Sequence, residues 1–84
     1  MEDLNEERSQ IISASLDARL KEVMHYQINI DNYSMALAMI GEMEPGEQAE
    51  LAGFVEQLKG LLASSILEQK KAKVMLAVIE RQVK

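Results

Sequence analysis

The chain reads as an all-α fold, an antiparallel helical hairpin of two long helices. Apolar residues recur at steps of three and four through both halves, and the only close grouping of glycine and proline, "GEMEPGEQAE" at residues 41 to 50, falls almost at the midpoint. Composition agrees: hydrophobic residues make up 48% of the 84, but aromatics only 4%, with six Met and no Trp, a balance of helical bundles rather than sheets. The length fits one domain, residues 1–84, and a chain this short buries so small a share of its surface that a partner subunit would help it.

The first helix is expected over residues 5–40. No glycine or proline interrupts the chain from Leu4 to Ile40, and one ladder runs through Ile12, Leu16, Arg19, Val23, Tyr26, Ile30, Tyr33, Leu37 and Ile40. Steps averaging ~3.5 residues keep such a seam facing one partner helix, the pattern of a coiled coil. Only Arg19 is charged. "NIDNY", residues 29 to 33, is the weakest helical stretch and the place where this arm would bend or break, since Asn and Asp compete for backbone groups.

The turn is expected over 41–47. Gly41 suits the position after a helix end, Pro45 cannot continue a helix, and Glu47 and Glu50 suit the positive end of the next helix dipole. The second helix, over 48–83, carries its own ladder: Leu51, Val55, Leu58, Leu62, Ser65, Gln69, Ala72, Leu76, Ile79 and Val83. Arms of about 36 residues at ~1.5 Å rise predict a rod of roughly 50 Å. The two ladders match when the numbers of facing residues add to 88, which sets Arg19 opposite Gln69 with Glu68 beside it, a buried polar layer between helices.

Apolar side chains outnumber the places in that seam. Met24, Ile28, Met35 and Met39 lie off it on the first helix, and Phe54, Leu61, Ile66, Leu67, Val74, Met75 and Val78 on the second. Full burial of one such side chain is worth ~1.5–3 kcal/mol, so a second surface is expected to cover many of them. The candidate oligomer or partner interface is Met24, Ile28, Met35, Met39, Ile66, Leu67, Val74 and Val78. Two hairpins joining as a homodimer make a four-helix bundle, the commonest symmetric solution; adaptable methionines also suit a groove for another protein's helix. Gly53 and Gly60, seven apart on the outer face, read as a close approach of another backbone, as a site of bending, or as tolerated surface glycines.

Chemistry-bearing residues are sparse. There is no cysteine, and His25 is the single histidine. Glu22-x-x-His25 is one copy of a motif that carboxylate-bridged metal bundles use twice, and a dimer would supply the second copy, but as it stands it predicts no metal site. No glycine-rich phosphate loop is present, and the turn is acidic. No enzyme activity and no cofactor are expected. A net charge of −5 argues against nucleic acid and anionic lipid, with "EQKKAK" (68 to 73) plus Lys59, Arg81 and Lys84 as the only basic candidates. "MEDLNEERSQ" lacks the features of a secretory signal and no apolar run approaches ~20 residues, so the expectation is a cytoplasmic protein with no membrane partner.

With its short acidic start, two long helices and late "EQKKAKVMLAVIERQ", the chain resembles the small helical accessory proteins encoded by temperate bacteriophages and prophages. That resemblance implies a protein-interaction module, an adaptor or inhibitor of a host protein working in the host cytoplasm. The hairpin is also similar to the Rop family of plasmid RNA-binding proteins, which are dimeric four-helix bundles, and this implies a nucleic-acid-binding accessory role as the alternative. Neither resemblance rests on a motif that assigns a role to a residue.

Overall fold

The computed structural model describes residues 2–83, and side chains from Leu4 to Gln82. Helix α1 spans Glu2–Gly41, a short α2 spans Pro45–Glu50, and α3 spans Ala52–Val83. α1 and α3 lie against each other as an antiparallel hairpin, and there is no strand among the described residues. The molecule is a rod of 69 × 16 × 14 Å, longer than the expected 50 Å because α1 starts nearly at the first residue and α2 adds to the closed end.

α1 passes through "NIDNY" unbroken. Ile30 and Tyr33 are held in the seam, and the Gln27 amide donates to the Asp31 carboxylate at 2.9 Å across one turn, which engages a side chain that would otherwise compete for backbone groups. The helix ends on tightened bonds, Glu42 N–H to the Met39 carbonyl at 3.2 Å and Met43 N–H to the Ile40 carbonyl at 3.1 Å. Gly41 is the last residue of the helix rather than the left-handed residue after it, since no glycine has positive φ among the described residues.

Gln48 closes the turn, because its Nε2 donates to the carbonyls of Gly41 at 3.1 Å and Met43 at 2.8 Å, oxygens that the helix end leaves unpaired. Pro45 opens α2 with its fixed φ, preceded by Glu44 in extended conformation. At Leu51 (φ −97°, ψ 8°) the chain leaves α2 and enters α3, with the Val55 N–H still bonded to the Leu51 carbonyl at 2.9 Å. Leu51 thus parts a short helix, which belongs to the connection, from the long second arm.

Both predicted ladders face inward. From Ile12 to Ile40 and from Leu51 to Ile79 every ladder residue is buried or half-buried; Val83's side chain and Lys84 lie outside the described residues. Burial peaks at Ile40, Leu58, Ser65, Gln69 and Ala72.

The pairing differs from the expected one by a single ladder step. Gln69 lies against Val23 rather than Arg19, Leu37 and Ile40 line one groove with Ala52 and Val55, and Ile12 lines another with Ile79. The cause is the connection. It runs from Glu42 to Leu51 and centres on Gly46 and Glu47, so α3 sits farther along α1 than a turn ending at Glu47 would place it. Arg19 then stands level with Ala72, the longest ladder side chain of one helix beside the smallest of the other.

Two substitutions test this packing. Leu58, 4% exposed, is at the centre of the seam, and Leu58→Ala is expected to cost about 2–5 kcal/mol in denaturant unfolding. A Cβ added at Gly60 meets no atom within 4 Å and the backbone is already helical, so Gly60→Ala is expected to stabilise by about 0.5–1 kcal/mol in the same measurement.

Candidate interaction surface

The seam fixes what every other side of the two helices faces, because successive side chains turn by about 100° around a helix. Ile28 and Met35 on α1, and Leu67 and Val74 on α3, stand opposite the seam and are all exposed. They point away from each other on the two outer edges of the hairpin. The remaining predicted interface residues divide between the flanks: Met24 and Ile66 on one, Met39 and Val78 on the other. The eight residues are therefore all exposed, as an interface requires, but they do not converge into a single patch.

The two flanks differ in character. One is marked by an open groove of about 420 Å³ at the turn end, where Gly41, Ala52 and Lys59 border Leu37, Ile40 and Val55. It carries Glu6, Asp17, Asp31, Glu56, Lys59, Lys70, Lys73 and Glu80. The other is marked by a groove of about 290 Å³ at the far end, where Ile11, Ser15, Ala18 and Glu22 meet Ile79 and Gln82. Its charged residues, among those described, are Arg8, Glu22, Glu68 and Lys71, and it bears Phe54, Leu61 and Met75 in one column of α3 seven residues or a multiple of seven apart. On α1 the matching column, Ser15, Glu22, Asn29 and Ala36, is half-buried although it lies off the ladder. Phe54 is 46% exposed.

The polar layer inside the seam has a different membership from the expected one. Gln69, 7% exposed, donates from Nε2 to the Val23 carbonyl at 3.2 Å and to Gln27 Oε1 at 2.9 Å. Arg19 is instead half-exposed, and its guanidinium donates to Glu22 at 2.8 Å within α1. The one-step offset explains both changes, since it carries Gln69 away from Arg19 and toward the next turn of α1. Each buried polar side-chain atom among the described residues has a partner, so the layer is satisfied without a charge.

Among the described residues the Glu22 and His25 pair does not grow into a metal-type grouping. Glu22 is engaged by Arg19, and His25 is exposed with its ring edge-on to Tyr26, centroids 6.1 Å apart. No three His, Asp or Glu side chains stand together as a metal site among the described residues. The lysines are interleaved with acids of their own helices: Lys21 pairs with Asp17 at 3.1 Å, Lys59 with Glu56 at 3.5 Å and Lys71 with Glu68 at 3.0 Å. These exposed pairs contribute little stability, but they break up any continuous positive strip. Among the described residues no helix is long and apolar enough to cross a membrane. Comparison with protein-family models, curated proteins and solved structures finds no match to this chain.

Sequence reasoning missed Gln27 and Gln48. Gln27 sits off the ladder, and its role depends on the offset; Gln48 acts on residues seven and five positions before it, a reach that only the folded turn creates. The Phe54 column, by contrast, carried a readable signal in its spacing.

A double-mutant cycle separates the two layers. Gln27→Ala combined with Gln69→Ala is expected to couple by about 0.5–1.5 kcal/mol in unfolding free energy, the worth of the hydrogen bond both residues share. Arg19→Leu combined with Gln69→Leu is expected to be additive within ~0.5 kcal/mol.

Proposed function

We propose that the chain is a non-enzymatic protein-protein interaction module that works as a homodimer, a four-helix bundle whose outer helical edges engage a protein partner. The observation that carries this reading is the imbalance between core and surface. Ile40, Leu58 and Ala72 are the buried hydrophobic residues of the hairpin, while large apolar side chains stand exposed along its outer edges and both flanks. So thin a core gives a chain of this size little independent stability, and association is the usual remedy. The absence of a catalytic grouping in the sequence, with its single histidine and no cysteine, agrees with a binding role.

Following the resemblance to small phage accessory proteins, the partner is a host protein, and the chain acts as an adaptor or inhibitor in the host cytoplasm. Ile28 and Met35 on one edge and Leu67 and Val74 on the other would supply adaptable apolar contacts to that partner. The Rop-like alternative draws on Lys59, Lys70 and Lys73, which share a flank. Glu56, Glu80, Asp17 and Asp31 on the same flank oppose phosphate binding.

Sedimentation equilibrium at low micromolar concentration tests the association: a dimer is expected, with a melting temperature that rises with protein concentration, and a cooperatively folded monomer would overturn the bundle. Binding to duplex DNA or RNA is expected to be weak, indifferent to sequence and lost as salt rises through ~0.2 M, because few phosphates would be neutralised. Tight binding at that salt would favour the Rop-like role.

A further inference from the structure

We infer that the second copy of the chain covers the flank bearing Phe54, and that it does so reversed end for end, so that the turn of each hairpin lies against the free ends of the other. This rests on the homodimer reading and assigns its geometry.

Area gives the first argument. The hairpin exposes 6543 Å², whereas a compact folded protein of 9.4 kDa exposes about 5,000 Å². The excess, about 1,500 Å² per copy, is what a stable homodimer buries when the total over both copies is in the 2,000–5,000 Å² range. A second rod laid along the first removes surface of this order, and a small docking peptide does not.

Charge selects the flank. The side with Lys59, Lys70 and Lys73 carries eight of the charged residues against four on the Phe54 side, and Lys70 and Lys73 pair with no acid among the described residues, whereas the Phe54 side has two charged pairs near its middle, each already closed within its own copy: Arg19 with Glu22 and Lys71 with Glu68. Neither pair needs a new partner when water is withdrawn from one side.

Shape selects the direction. The flank has its largest knobs, Phe54 and Met39, near the turn, and its groove, bordered by Ile11, Ser15, Ala18 and Ile79, near the free ends. Knob and groove are about 35 Å apart along the rod, some 23 residues of α1 at ~1.5 Å each. In a twofold contact whatever one copy gives it also receives, so a knob at one end and a hole at the other of the same face fit when the copies are reversed. The axis then passes between them, near Asn29 and Ser64, where side chains are small or polar. With the copies in the same direction α3 of each would lie on α1 of the other, Phe54 would meet Met39, knob on knob, and both grooves would stay empty. The outer edges with Ile28, Met35, Leu67 and Val74 are left open in either arrangement, as a further partner requires.

The chain has no cysteine, so introduced ones report directly. On this flank Gln57 lies one turn from Phe54, Met75 lies one turn from the groove residue Ile79 on the same helix, and Ala36 stands level with Gln57 on α1. Gln57→Cys protein is mixed with Met75→Cys protein and, separately, with Ala36→Cys protein, each verified as helical by circular dichroism; the mixtures are oxidised mildly and the products identified by mass. Reversed packing lays α3 on α3 and is expected to give the Gln57→Cys with Met75→Cys heterodimer at least ~tenfold over the Gln57→Cys with Ala36→Cys heterodimer. The opposite preference would overturn the reversed direction. No cross-link in a chain that sediments as a dimer would overturn the choice of flank while leaving the homodimer intact, and a monomeric wild-type chain would overturn both. In parallel, Phe54→Gln is expected to raise the dimer dissociation constant at least ~tenfold with helix content retained at high concentration; an unchanged constant would remove Phe54 from the interface.

Discussion

Two helices lying side by side share one line of contact, and the interlocking of the α1 and α3 ladders along it sets every other property of this molecule. A third or fourth helix would let each ladder residue be enclosed; with two, one side of each layer remains open, and most of the ladder is only half-buried. Full burial is reached where a neighbour closes the layer, at Ile40 beside the turn and at Leu58, Ser65, Gln69 and Ala72 along α3. The apolar side chains that do not fit along one line must stand elsewhere, and the exposed apolar surface is the direct consequence of that geometry.

The same constraint explains why the polar layer is neutral. A charged side chain in a two-helix seam can turn its head outward, as Arg19 does toward Glu22, and leave its stem against the neighbouring helix. Gln69 has no such route, being enclosed, and it is satisfied by a carbonyl and an amide of the facing helix. A shorter or branched side chain at Gln27 would leave that amide with the Val23 carbonyl alone.

Both ladders, the rough place of the turn and the all-helical fold were legible in the sequence because they follow from local rules, periodicity of apolar residues and the position of Pro45 and the glycines, whereas the end of the turn, expected at Glu47, lies at Leu51. The register was not. Ladders with the same period slide past one another in whole steps and match again, so the pairing of Arg19 with Gln69 satisfied the pattern as well as the pairing of Val23 with Gln69 does. What distinguishes them is the length of the connection, and Leu51, which resembles an ordinary helical residue in sequence, is where α2 and α3 part. The candidate surface was legible in kind but not in arrangement. Met35, Leu67 and Val74 are as exposed as their positions implied, yet their division between opposite edges needed the direction of the seam.

The clamp that Gln48 places on Gly41 and Met43 bears on the order in which the chain folds. Bringing two segments together costs more entropy as the intervening loop lengthens, and the pairs next to the turn close the shortest loops of all. The layer in which Ile40 borders Ala52 and Val55 therefore closes first, and each layer closed shortens the free chain before the next, so the hairpin zips from the turn toward the termini. Unzipping runs the other way. The layers around Ile12 and Ile79, the last to form, are the first to open, which makes the molecule firm at its closed end and progressively looser toward the other, with a graded rather than uniform resistance to amide exchange along α1.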